Sequence, residues 1–226
     1  MEVFFLILEY LGVAAFAVSG AMVAIDKEAD FVGVIIMALV TTFGGGVMRD
    51  LFLGINPPNF FTSYMPLIIT AALAAVATFT VAALFKKKYV ANEKKIDAII
   101  NVFDALGLGI FVVYSTLIAL DLNFNEPFVA ISMGVIGAVG GGIVRDLMLG
   151  SIPFVIRKRI YLIACLAGSL SFYLLYVVLH FDVVWATFVG VMLTFLLRMC
   201  ATIFKWNMPK AIVFSKLNEE QSKTEK

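Results

Sequence analysis

The chain has 226 residues, 62% of them apolar and 15% charged, with a net charge of +1 and a mean hydropathy of +1.01. A soluble domain holds about 45–50% apolar residues, so no water-exposed core of this length could absorb the excess, and the composition predicts a protein dissolved in a bilayer. The charge balance offers no basic stripe for nucleic acid, and Cys165 and Cys200 lie in apolar runs with no CxxC or histidine cluster nearby, which argues against a disulfide or zinc framework.

The first apolar run has no Lys or Arg before it and no small-residue cleavage site, so it reads as a retained helix rather than a signal peptide. About twenty apolar residues cross a hydrocarbon core roughly 30 Å thick. On that measure the predicted spans are 3–25, 31–52, 64–85, 97–120, 128–150, 160–180 and 183–204. Asp26 to Asp30, Asn56 to Asn59, Lys86 to Lys88, Asp121 to Pro127 and Arg157 to Arg159 punctuate them. Fourteen of the seventeen Lys and Arg residues fall on one side, in loops one, three and five and in the tail. The other three, Arg49, Arg145 and Arg198, lie inside spans. By the positive-inside rule the N-terminus is expected outside and the C-terminus in the cytoplasm. Trp185 and Trp206 bracket the last span, as interfacial aromatics do.

An internal repeat organises these spans. Residues 43–57 read FGGGVMRDLFLGINP and residues 139–153 read VGGGIVRDLMLGSIP, nine identities in fifteen positions at an offset of 96. Arg, Asp and Pro among the matches make chance identity in an apolar background implausible. Phe16 to Gly20 in span one is read as answering Phe103 to Gly107 in span four. Each motif sits on the middle helix of a three-helix unit, and because three is odd the second unit enters the membrane upside down. The predicted fold is all-α and integral to the membrane: seven transmembrane helices, as two inverted three-helix repeats plus a seventh helix. The units are expected at 1–90 and 91–182, the seventh helix at 183–206 and a cytoplasmic tail at 207–226.

Gly44, Gly45 and Gly46, with Gly140, Gly141 and Gly142, remove side chains so that another backbone can approach. They also weaken the helix by about 1 kcal/mol each against alanine, which favours a bend. The glycines therefore read either as packing and kink devices or as backbone exposed to a permeant. Arg49-Asp50 and Arg145-Asp146 are ionisable pairs at membrane depth, a functional signal by default, with structural pairing the plainer alternative. Asp104 reads as cavity lining or a helix–helix hydrogen bond, and Thr42 as a wet-path hydroxyl or one bonded to its own helix. Glu9, Asp97, Asn101, Ser19, Thr41, Tyr114 and Ser115 are weaker candidates, and His180 reads as interfacial. No nucleophile–base set or metal-ligand cluster appears, so neither an enzyme nor a cofactor is expected.

Paired GGGxxRD motifs on the second and fifth of seven helices resemble the prokaryotic branch of the trimeric intracellular cation (TRIC) channel family, whose bacterial members are also described as glycine transporters. The resemblance covers roughly residues 5–204. It implies a homotrimer with a pore in each protomer, conducting monovalent cations such as potassium. It also implies that Gly44 to Gly46 and Gly140 to Gly142 bend helices two and five around that pore, beside Arg49 and Arg145. Animal members carry a lysine-based motif in helix two where this chain has Arg49-Asp50, so phosphoinositide binding does not carry over. A bacterial homologue is expected in the plasma (inner) membrane, in contact with lipid. The alternative function is a secondary transporter of a small zwitterion such as glycine, with arginine holding the carboxylate.

Overall fold

The structure is a computed structural model that describes residues 2–62, 65–86, 92–157, 160–204 and 206. Among the described residues all regular structure is helical: α1 (Glu2–Asp26), α2 (Phe31–Phe52), α3 (Asn59–Thr62), α4 (Met65–Leu84), α5 (Glu93–Asp121), α6 (Pro127–Met148), α7 (Phe154–Arg157), α8 (Ile160–Tyr173) and α9 (Val183–Ile203). α8 runs on as a π-helical turn, Leu174–Val178. Seven helices (α1, α2, α4, α5, α6, α8 and α9) are long and apolar enough to cross a membrane. The protein is thus an all-α, seven-span membrane fold. The largest departure from the predicted ends is α5, which starts at Glu93 rather than at residue 97. The proposed tail, residues 207–226, lies outside the described residues.

Local chemistry sets the helix ends. Asp30 caps α2 by accepting the Gly33 amide at 2.7 Å, Pro127 opens α6, and Asp182 accepts the Val184 amide at 2.9 Å to start α9. α2 and α6 end alike. Gly54 (φ +76°) and Gly150 (φ +64°) take the left-handed conformation that closes a helix, and the amides of Ile55 and Ser151 return to the carbonyls of Asp50 and Asp146. Each chain then forms a short helix, α3 or α7, before the next span. Both short helices lie between the predicted spans, where the sequence pattern marks no helix.

α1–α2–α4 and α5–α6–α8 are the two inverted units, and α9 stands outside both, packed on α8 and α5. α2 crosses α6 at the centre, while α1 bridges to α5. The apolar core has one cluster centred on each unit, with Phe16 of α1 reaching into the second. Val34, Ala38, Leu67 and Ala71 belong to the first cluster, and Val112, Val139, Phe172 and Ala186 to the second. Outward faces such as Ile69, Leu73 and Leu84 on α4 stay exposed, as a helix bathed in lipid requires.

The contacts between units are reciprocal. A Cβ on Gly45 would strike the Gly137 carbonyl, and one on Gly141 would strike the Thr41 carbonyl; Gly141 lies 96 residues after Gly45 and Gly137 96 after Thr41, so each unit presents the same two positions to the other. In α1 and α5 the offset is 95. Gly12 lies against Phe111 and Gly107 against Phe16, and the two phenyl rings stack on each other at 5.2 Å. This register corrects the expected match of Phe16 with Phe103: the partner of Phe16 across the twofold is Phe111. The short match misled because Phe, Ala and Gly recur by composition in apolar helices.

Candidate functional site

The glycine motifs make the crossing of α2 and α6. Both helices remain α-helical through all six glycines. Gly44 and Gly45 face the Cα and amide of Gly141, and Gly140 faces the Cα of Gly45, so two backbones touch where any side chain would hold them apart. The third glycine of each motif does something different. A Cβ on Gly46 would lie 3.8 Å from the Arg49 Nη2, and one on Gly142 would lie 3.6 Å from the Tyr161 hydroxyl and 3.7 Å from the Arg145 Nη2. These two positions clear room for the guanidinium groups one turn on.

Each Arg–Asp pair is built the same way. Arg49 donates from Nε and Nη2 to Asp50 Oδ1 at 2.9 and 2.6 Å, and from Nη1 to Ser115 Oγ at 3.1 Å. Asp50 Oδ2 accepts the Asn59 amide at 2.9 Å, at the start of α3. In the second unit Arg145 Nε donates to Asp146 Oδ1 at 2.8 Å with Nη2 also 2.8 Å away, and Asp146 Oδ2 accepts the Phe154 amide at 2.8 Å, at the start of α7. All four side chains are buried. The pairs sit at opposite ends of the crossing, since α2 and α6 run antiparallel. Each aspartate therefore neutralises its arginine with one oxygen and anchors a short helix with the other.

The surroundings of the two pairs differ. On the face where α1 begins, a vestibule of about 460 Å³ is lined by Phe5, Glu9, Tyr114, Asp121 and Tyr176. Below it a tight chamber, with about 20 Å³ of free room, is lined by Glu9, Thr42, Gly46, Arg49, Asp50 and Tyr114. That is space for a single water molecule. Glu9 and Tyr114 belong to both walls, so they form the neck between the two spaces. Thr42 lines the chamber, although its hydroxyl donates to the Ala38 carbonyl at 2.8 Å.

Toward the other face the equivalent space is filled. The Arg145 guanidinium lies over the Phe154 ring, 5.1 Å from its centroid. Beside it Asp104 accepts from Arg198 Nη2 at 3.3 Å and from the Tyr161 hydroxyl at 3.3 Å, while the Arg198 guanidinium rests 4.4 Å from the Tyr161 ring centroid. The six residues expected along a path thus separate into two groups: Thr42, Arg49 and Asp50 on the chamber, and Arg145, Asp146 and Asp104 in the packed half. Sequence reasoning missed Tyr161. It placed Arg198 inside a span without a partner, and the rarity of a third intramembrane arginine was the available signal. Among the described residues no cluster of side chains has metal-ligand spacing.

The Glycine transporter family model matches residues 6–83 and 101–177, one stretch per three-helix unit. The UPF0126 inner membrane protein YadS of Escherichia coli K12 is 31% identical over 205 residues, covering 89% of this chain and 92% of its own. The UPF0126 membrane protein YvgT of Bacillus subtilis is 32% identical, with 90% and 94% covered. Among solved structures, the TRIC trimeric intracellular cation channel orthologue of Rhodobacter sphaeroides is 32% identical with a TM-score of 0.78, covering 89% of this chain and 98% of that one. A prokaryotic TRIC channel solved in 0.5 M KCl gives a TM-score of 0.81 at 27% identity, with 92% and 100% covered. The chain belongs to the TRIC family.

Proposed function

We propose that this TRIC-family protein is a monovalent-cation channel of potassium type, with a path inside each protomer along the α2–α6 crossing. It works as a homotrimer in the bacterial inner membrane, its N-terminus outside and its C-terminus in the cytoplasm. The observation that carries the reading is the neutralised arginine. A bare guanidinium in a cation path repels the permeant ion, but Arg49 and Arg145 are each bound by a neighbouring carboxylate at hydrogen-bond distance. The cation-channel structures that this chain resembles support the same assignment. In this conformation the path is open as far as the chamber at Arg49 and closed by packed side chains around Arg145, so conduction requires the second half to loosen.

The test is electrical. Purified full-length protein in a planar bilayer should give discrete currents that reverse near the potassium equilibrium potential. Saturable glycine uptake into proteoliposomes without such currents would instead establish the carrier that the family model's description names.

A further inference from the structure

The 95-residue register of α1 and α5 pairs Glu9 with Asp104, just as it pairs Gly12 with Gly107 and Phe16 with Phe111. The two carboxylates are the same position of the fold, one in each half of the membrane, and each has a tyrosine beside it: the Tyr161 hydroxyl donates to Asp104, and Tyr114 shares both cavity walls with Glu9. They differ in their cation. α9, the helix without a repeat partner, delivers Arg198 to Asp104 at 3.3 Å. Among the described residues no helix plays that part for Glu9. The nearest guanidinium, Arg49, is already engaged by Asp50 and Ser115, and among the described residues Arg49 is the only basic side chain on either cavity wall. One of two equivalent carboxylates thus holds a built-in cation, and the other, at the neck between vestibule and chamber, shares its nearest cation with Asp50.

We propose that Glu9 is the cation-recruiting residue of this protein: it holds, for a mobile monovalent cation, the place that Asp104 holds for Arg198. With Asp121 at the vestibule rim and Asp50 cancelling Arg49, the walls of the two spaces carry a net negative charge when the acids are ionised. A low-dielectric cleft of one sign concentrates counter-ions, and it does so most at low ionic strength. The inference rests on the channel reading above.

The experiment is single-channel recording of the full-length protein and its Glu9→Gln variant in about 20 mM and about 1 M KCl, salt levels at which the screening length is long and short respectively. The expected result is a unitary conductance at least about two-fold lower for Glu9→Gln in dilute salt, converging on wild type in concentrated salt, with a reduced potassium-over-chloride permeability ratio. Glu9→Cys supplies a second readout within one folded channel: a negatively charged thiol reagent applied from the vestibule side should restore current, and a positively charged one should depress it further. Equal conductance of wild type and Glu9→Gln at both salts, or insensitivity of the modified cysteine to reagent charge, overturns the inference and leaves the channel reading standing. If Glu9→Gln yields no folded protein, the cysteine modification decides alone. Wild-type protein that carries no current overturns both.

Discussion

At the scale of single residues the three glycines of each motif are not equivalent. The first two are held by backbone from the other unit, and the third by the motif's own arginine. Gly45→Ala or Gly141→Ala drives a methyl into a carbonyl that cannot yield without parting α2 from α6. Each should lower the melting temperature of purified protein, at a cost of about 1–3 kcal/mol for overpacking. Gly46→Ala and Gly142→Ala meet only side-chain atoms at van der Waals distance and gain helix propensity, so their melting temperatures should stay at or above wild type. Equal damage at all three positions would show that the crossing is not what the glycines serve. Arg49→Ala poses a different problem. It leaves Asp50 buried with the Asn59 amide as its remaining donor among the described residues, and stranding one member of a buried pair costs about 3–5 kcal/mol. Folded yield should fall and should recover in Arg49→Ala/Asp50→Asn, because an asparagine oxygen still accepts from Asn59 and brings no charge.

At the scale of helices, α9 is tied to the second unit through Arg198, which pairs with Asp104 and rests on the Tyr161 ring amid many apolar contacts. The Asp104–Arg198 pair predicts coupling of about 1–3 kcal/mol in a double-mutant cycle on thermal stability with Asp104→Asn and Arg198→Gln. Additive effects would mean that α9 is held by its apolar face alone. The helices themselves were legible in the sequence, because about twenty apolar residues bounded by charge admit one reading. The motif was legible too, since Arg, Asp and Pro carry information in an apolar chain. The α1–α5 register was not. Its true match rests on Gly12/Gly107, Phe16/Phe111 and Val18/Val113, residues that any apolar helix supplies. Nor were α3 and α7 visible. Four-residue helices have no periodicity to read, and their anchor is a carboxylate eight or nine positions back that the sequence pairs with its neighbouring arginine. The partner of Arg198 lies 94 residues away, and tertiary packing alone brings the two together.

At the scale of the whole molecule, orientation is a separate matter from fold. The helix crossing would look the same with the protein turned over, and what breaks the tie is the lysine and arginine bias of the loops. A single cysteine introduced at Asn123 should react with an impermeant thiol reagent added to intact cells, and one at Lys27 only after the membrane is opened. The reverse pattern would turn the vestibule, and the cation supply it receives, toward the cytoplasm.

The reciprocal contact of Gly45 on Gly137 and of Gly141 on Thr41 has a consequence for how this protein tolerates change. Two positions that occupy one environment twice should share one substitution profile. In a saturation mutagenesis scan scored on folded protein, the tolerance trace of residues 40–50 should overlay that of residues 136–146, giving an autocorrelation peak at a lag of 96 that slips to 95 across α1 and α5. The overlay should fail at one pair above all. Glu9 should accept neutral replacements that Asp104 refuses, because Asp104 alone must answer a buried arginine from the helix that has no twin.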